Sequence, residues 1–192
     1  FMETALEIGE GQQLDVEFET RNDVREEEYI EMIRLKTSVL LACALKIGAI
    51  LAGAPKEDSD NLYRFGECIG LAFQLQDDLL DVYGDPKVFG KNIGGDITSN
   101  KKTYMLINAV NHANDAQRRE LMGWIERQTF DREEKVKAVT ALYDAIGIRQ
   151  LCEQKMERYY EEAQQYMAKV SVAEDRKAIL KAYAAAMMKR KS

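Results

Sequence analysis

Pro55 and Pro86 are the only two prolines in the 192 residues, so everything after residue 86 can run as helix without meeting the residue that breaks helices most strongly. An all-α chain is therefore expected. Asp23 with Glu26, Asp131 with Glu134, and Ser171 with Glu174 each match a capping box, in which an N-cap oxygen and a carboxylate three residues on satisfy free backbone N–H groups. Hydrophobic periodicity predicts helices over residues 1–19, 24–53, 59–83, 103–114, 115–128, 132–145, 148–169 and 172–190, forming a single all-α domain. The one long non-helical piece is 84–102, which holds Gly84, Gly90, Gly94, Gly95, Pro86 and several lysines. Gly9 and Gly11 lower the propensity of the first helix, which suggests close helix packing there.

Charge and cysteine content exclude several classes of function. With 27 Lys and Arg against 33 Asp and Glu, the net charge is −6, and no basic block is broad enough to hold a nucleic-acid backbone. Cys43, Cys68 and Cys152 are odd in number, far apart and without a CxxC pair, which argues against a disulfide or zinc framework and makes a cytoplasmic location the expectation. The most apolar stretch, 39–54, is interrupted by Lys46 and falls short of the roughly 20 residues that span a bilayer. The chain opens at Phe1 already in a helical pattern, so it reads as cut inside or just before a helix.

The most informative segment is 69–83, IGLAFQLQDDLLDVY, nine of whose fifteen residues are apolar. At about 100° per residue, Gln74, Asp77, Asp78 and Asp81 fall within one arc, while Leu71, Leu75, Leu79, Leu80 and Val82 take most of the remainder. Three carboxylates this close repel one another, so the stripe needs open water or cations. Oxygen ligands without His or Cys select Mg²⁺ or Ca²⁺ over zinc, and Mg²⁺ held by one or two carboxylates commonly completes its shell with water and substrate phosphate. Taken alone, the string reads first as an acidic solvent face, and other features must raise the metal reading.

Lys87, Lys91, Lys101 and Lys102 follow within a few residues, among glycines that let backbone approach an anion closely. GxxxxGK[ST] is absent, so this is not a Walker loop. Upstream, Lys36 and Thr37 interrupt a run of Ile33, Leu35, Val39, Leu40 and Leu41, where a lysine must either snorkel to the rim or meet an anion. Gln12 and Asp15, three apart, share one face of the first helix.

GQQLD at 11–15, KT at 36–37, FQLQDDLLD at 73–81 and GKNIGGDITSNKKT at 90–103 together resemble the trans-isoprenyl diphosphate synthases, the farnesyl and geranylgeranyl diphosphate synthase family. The resemblance is close up to the loop and extends only in pattern beyond residue 103. It implies an all-α bundle around a deep central cavity, commonly a homodimer, that condenses isopentenyl diphosphate with an allylic diphosphate using Mg²⁺. By the same likeness, Asp77, Asp78 and Asp81 look like the second aspartate-rich motif, with Asp77 the direct metal ligand and the other two acting partly through water. Lys36, Lys91 and Lys101 look like the lysines that hold diphosphate at the cavity mouth. Thr37 and Gln74, beside the Lys36 carbonyl, resemble the residues whose oxygens face the developing allylic cation. Gln12 and Asp15 would line the same cavity, and Lys189, Arg190 and Lys191 resemble a basic tail found in some members. His112, the sole histidine, lies outside every motif.

One departure stands out: the family's first aspartate-rich motif, with the arginines that follow it, has no counterpart in residues 1–72. The chain is therefore expected to be a C-terminal portion of a synthase, with little turnover alone and with apolar helix faces left uncovered. Two other readings stay open, a class I terpene cyclase and a non-catalytic helical subunit partnering an active synthase. The cyclase's usual Asn/Asp, Ser/Thr, Glu metal motif is not found. A di-iron bundle would want paired Glu-x-x-His motifs, and only one histidine exists.

Overall fold

The computed structural model describes residues 1–85 and 93–189. They are all-α, with no strand among them. Helix α1 (Met2–Thr20) leads into α2 (Glu26–Ile33), a π-helical turn (Arg34–Ser38) and α3 (Val39–Leu51). Next come the long α4 (Lys56–Tyr83) and a one-turn α5 (Gly95–Thr98). The chain then continues through α6 (Tyr104–His112), α7 (Asp115–Glu126), α8 (Arg132–Ile146), α9 (Ile148–Lys169) and α10 (Glu174–Met188).

The organising element is α4, packed chiefly between α9 and α3. Toward its C-terminal end Leu71, Leu75, Leu79 and Val82 enter a core shared with Tyr29, Met32, Ile33, Met105, Tyr143 and Cys152. Toward its N-terminal end Phe65, Cys68 and Ile69 join a smaller cluster with Ala163, Met167 and Ala184. The three cysteines are free and buried, as small apolar groups.

Local signals explain most helix ends, with two corrections. Asp131 caps α8 by accepting the Glu134 N–H (2.9 Å), as the sequence pattern predicts. Asp23 does not cap α2. Its carboxylate is taken by the Arg21 guanidinium (2.8 Å), and the helix starts later, where Glu28 accepts the Arg25 N–H (3.1 Å). Ser171 does not cap α10 either. Its N–H and hydroxyl reach the buried Asp58 at 2.9 and 2.5 Å, tying the α9–α10 link to the start of α4, and α10 begins at Glu174. The segment expected to be loop over 84–102 contains α5, and Pro86, Lys87, Gly90 and Lys91 lie outside the described residues.

Helix–helix approach is closest around the π turn. A Cβ on Gly11 would stand 2.3 Å from the Lys36 backbone nitrogen, and one on Gly70 would stand 2.7 Å from the Ser38 Cα. The expectation of close packing holds for Gly11 and fails for Gly9, whose Cβ would meet nothing within 4 Å. The expectation of uncovered apolar faces also holds: on α1 and α3, Leu6, Val16, Leu40, Ile50 and Leu51 are exposed. No helix among the described residues is long and apolar enough to cross a membrane.

The two α1 glycines should therefore respond oppositely. Gly11→Ala drives a methyl into backbone that cannot swing aside, so we expect a loss at the upper end of about 1–3 kcal/mol. At about 2–4 °C per kcal/mol for a chain of this size, that is a clear fall in Tm. Gly9→Ala, in open helix, should gain roughly 0.5–1 kcal/mol. Thermal unfolding of both variants checks this, and equal shifts would contradict the packing of α1 on the π turn.

Candidate active site

Four elements bring polar side chains together at one end of the main core. α1 supplies Asp15, the π turn Lys36 and Thr37, and α4 Gln74, Asp77, Asp78 and Asp81. The stretch from Gly94 to the start of α6 supplies Asp96 and Lys101. The π turn is what aims the second group. Its Arg34 carbonyl accepts from Val39, five residues on, instead of from the residue four on. Such turns interrupt the regular ladder and recur at functional positions.

Lys36, half-buried, meets an anion rather than only snorkelling: its Nζ lies 2.6 Å from Asp15 Oδ2. Beside it a chain of hydrogen bonds runs inward. Thr37 Oγ1 donates to Gln74 Oε1 (3.3 Å), and Gln74 Nε2 donates to Asp78 Oδ1 (3.3 Å). The Tyr29 hydroxyl donates to the other Asp78 oxygen. Asp78 is only 3% exposed, so this part of the acidic stripe does not open to water as the helical arc implied. The carboxylate instead occupies a pocket inside the core, held by Tyr29 and Gln74.

Asp81 plays a different local role. Its Oδ2 accepts the Asp96 N–H (2.9 Å), while its backbone carbonyl accepts the Gly94 N–H (2.6 Å). Gly94 sits at φ +83°, a conformation that side chains rarely adopt, and a Cβ there would also strike Val136 at 2.6 Å. Asp81 thereby anchors α5 and presents Asp96 toward Lys101, whose Nζ is 3.9 Å from Asp96 Oδ1. Asp77, one turn before Asp81, shares its helix face and is half-buried.

The electrostatics confirm that these groups feel one another. Burial opposes the charge on Lys101, but the carboxylates of Asp96, Asp78, Asp15 and Asp81 outweigh it and raise its pKa. Burial pushes Asp96 up to about 6, with Asp81 and Asp15 adding to the rise and Lys101 and Lys36 opposing it. Burial likewise pushes Asp78 up to about 7, reinforced by Asp96 and resisted by Tyr29, Lys101 and Gln74. Among the described residues, Asp78, Asp81, Asp96 and Asp15 thus act on one another and on Lys101 and Lys36. A cleft of about 470 Å³ opens beside it, with Asp15, Phe18 and Lys101 in its wall.

Gln12 is exposed on α1 and is not part of that wall. Lys91, Arg190 and Lys191 lie outside the described residues, and Lys189 is exposed. Among the described residues no three His, Cys, Asp or Glu side chains stand close enough to hold a metal as they are. The donor chemistry nevertheless fits a hard divalent ion, since every candidate ligand is a carboxylate oxygen. Sequence reading missed Tyr29. Its spacing from Lys36, seven residues, is the signal that could have placed both on one helix face.

With this geometry in view, the comparisons are specific. The family model for polyprenyl synthetase matches residues 1–143. The chain belongs to that family. A short chain isoprenyl diphosphate synthase of Methanothermobacter thermautotrophicus is 46% identical over 121 residues, 63% of this chain and 37% of that protein. The crystal structure of a geranylgeranyl pyrophosphate synthase superposes with a TM-score of 0.92 at 41% identity, covering 100% of this chain and 60% of that one. A polyprenyl synthase from Caulobacter crescentus, solved with calcium and isoprenyl diphosphate, gives a TM-score of 0.89 at 27% identity, covering 100% of this chain and 58% of that one. The chain spans roughly half or less of the length of the curated relatives it matches.

Removing the Tyr29 hydroxyl isolates its part in the cluster. Tyr29→Phe takes one donor from a buried carboxylate, so we expect a loss of about 1–3 kcal/mol in urea unfolding. A double-mutant cycle with Asp78→Asn should return a coupling on the order of 1 kcal/mol. Strictly additive losses would show that the two side chains act independently.

Proposed function

We propose that the protein condenses isopentenyl diphosphate with an allylic diphosphate to give a longer trans-polyprenyl diphosphate, and that these residues form the diphosphate-holding half of its active site. The observation that carries this reading is the meeting of Lys36 with Asp15 and of Lys101 with Asp96, with Asp15 and Lys101 in the wall of one cleft. The Caulobacter relative, solved with calcium and isoprenyl diphosphate, supports the same chemistry.

In this reading Asp77 would hold Mg²⁺ directly through oxygen, and Asp81 and Asp78, the latter fixed by Tyr29 and Gln74, would act partly through water. The ion supplies charge neutralisation for the departing diphosphate. Lys36, Lys91 and Lys101 bind and orient the phosphate oxygens, each as a point charge with several donors. The allylic C–O bond breaks, the double bond of isopentenyl diphosphate forms the new C–C bond, and the proton lost from the product passes to the released diphosphate. Thr37, Gln74 and the Lys36 carbonyl present oxygens to the allylic cation while it exists. Apolar walls keep water from trapping it. No protein nucleophile is required.

The first aspartate-rich motif and its arginines are assigned to sequence outside these 192 residues. The exposed apolar faces of α1 and α3 are where the remainder of the domain and a second protomer of a homodimer would pack.

The test is a Mg²⁺-dependent condensation assay with isopentenyl and allylic diphosphates. In the whole protein, Asp77→Ala should lower turnover at least about a hundredfold, or roughly 2.7 kcal/mol of transition-state stabilisation. The 192-residue chain alone should show little turnover. A variant that keeps most of its activity would remove Asp77 from the metal site, and full turnover by the isolated chain would overturn the half-site reading.

A further inference from the structure

A second recess lies apart from the carboxylate cluster, between the α1–α2 link, α6 and α7. Its volume is about 240 Å³, room for on the order of eight waters at about 30 Å³ each. Val24, Leu106 and Ile107 form nearly buried parts of its wall, and Val110, Met122 and Ile125 complete the apolar surface. Apolar pockets of this kind bind through their walls and are oriented by a few polar groups at the mouth.

The mouth carries an uneven set of charges. Asp23 is closed off by Arg21 at 2.8 Å, and Arg25 by Glu28 at 3.2 Å. Lys102 differs. Its Nζ donates to the Glu19 backbone carbonyl (3.1 Å), and among the described residues it forms no ion pair. Burial lowers its pKa, and the Glu19 carboxylate offsets this only in part, so the charged form would gain from a closer anion. The recess thus combines an oily floor with one cation that no carboxylate contacts directly among the described residues.

We infer that this recess binds a short amphipathic anion, its chain against Val110, Ile107 and Met122 and its head on Lys102. The head can be a phosphate or a carboxylate, since an ammonium group serves both. Lys102 also stands in the wall of the cleft beside Asp15 and Lys101, so the two recesses share one cation. An anion that draws Lys102 toward one necessarily takes it from the other, and coupling of this sort is reciprocal.

The 192-residue chain can be titrated with n-octyl phosphate and, separately, with octanoate, by calorimetry in the presence of EDTA. At least one should bind saturably at one site, and the stronger of the two identifies the head group. Lys102→Gln should weaken that binding at least tenfold, and Val110→Trp, which fills the floor, should abolish it. Circular dichroism must show both variants folded, and if Val110→Trp fails, Met122→Phe replaces it. Lys36→Gln should leave the affinity unchanged. Absence of saturable binding for both compounds would overturn the inference. Binding that Lys36→Gln removes and Lys102→Gln spares would overturn it too, by putting the amphiphile in the carboxylate cluster. Because no turnover is read, the outcome is independent of the proposed condensation.

Discussion

The π turn at Arg34–Ser38 is gripped between two glycines, and the geometry of the site depends on that grip. Gly11 of α1 lies against the Lys36 backbone, and Gly70 of α4 lies against Ser38. Only residues without a Cβ allow three backbones to come this close. Contact at that distance fixes the depth and rotation of Lys36 and Thr37 relative to Asp15 on one side and Gln74 on the other. An ordinary α-helical turn would place one residue fewer between α2 and α3, rotating everything after it by about 100°. Lys36 and the exposed apolar face of α3 could then not both keep their present positions.

Electrostatics work against stability here. Asp78 and Asp96 both have pKa values raised by burial before any neighbouring charge acts. The protein accepts this crowding because three of the carboxylates are fastened by a fixed donor or cation: Tyr29 and Gln74 for Asp78, the Asp96 N–H for Asp81, Lys36 for Asp15. Such fastening prevents the side chains from swinging apart to relieve repulsion. What remains is a fixed set of carboxylates and ammonium groups, of which Asp15 and Lys101 face a cleft.

Much of the fold was legible from sequence because proline scarcity and helical periodicity are local signals. Helix α9 was predicted over its full length, and α8 to within a residue. Caps were less legible. Asp131 meets no rival for its carboxylate, whereas Asp23 is claimed by Arg21 and Ser171 by Asp58, the latter over 113 residues of sequence. A capping pattern counts residues and cannot see such competitors. The π turn was illegible for the same reason, since it is imposed by packing on Gly11 and Gly70. Of the candidate residues, Asp15 meets Lys36, Gln74 meets Thr37 and Asp78, and Asp81 and Lys101 both meet Asp96. Gln12 stays outside the cleft wall, and Tyr29 entered only with the structure.

The DDxxD string shows why a motif of identical residues need not be a set of equivalent ligands. On a helix, Asp77 and Asp81 share a face, while Asp78 is turned about 100° from Asp77. In a rod buried on nearly every side, that rotation separates a half-exposed carboxylate from a fully buried one. Asp78 consequently meets Tyr29, and its pKa of about 7 reflects an interior position. Asp81 is committed through one oxygen to the Asp96 backbone, which holds the following turn in place. One carboxylate therefore braces the core and one braces the loop, while Asp77 lies on the half-buried face that it shares with Asp81. That division follows from helix geometry and burial.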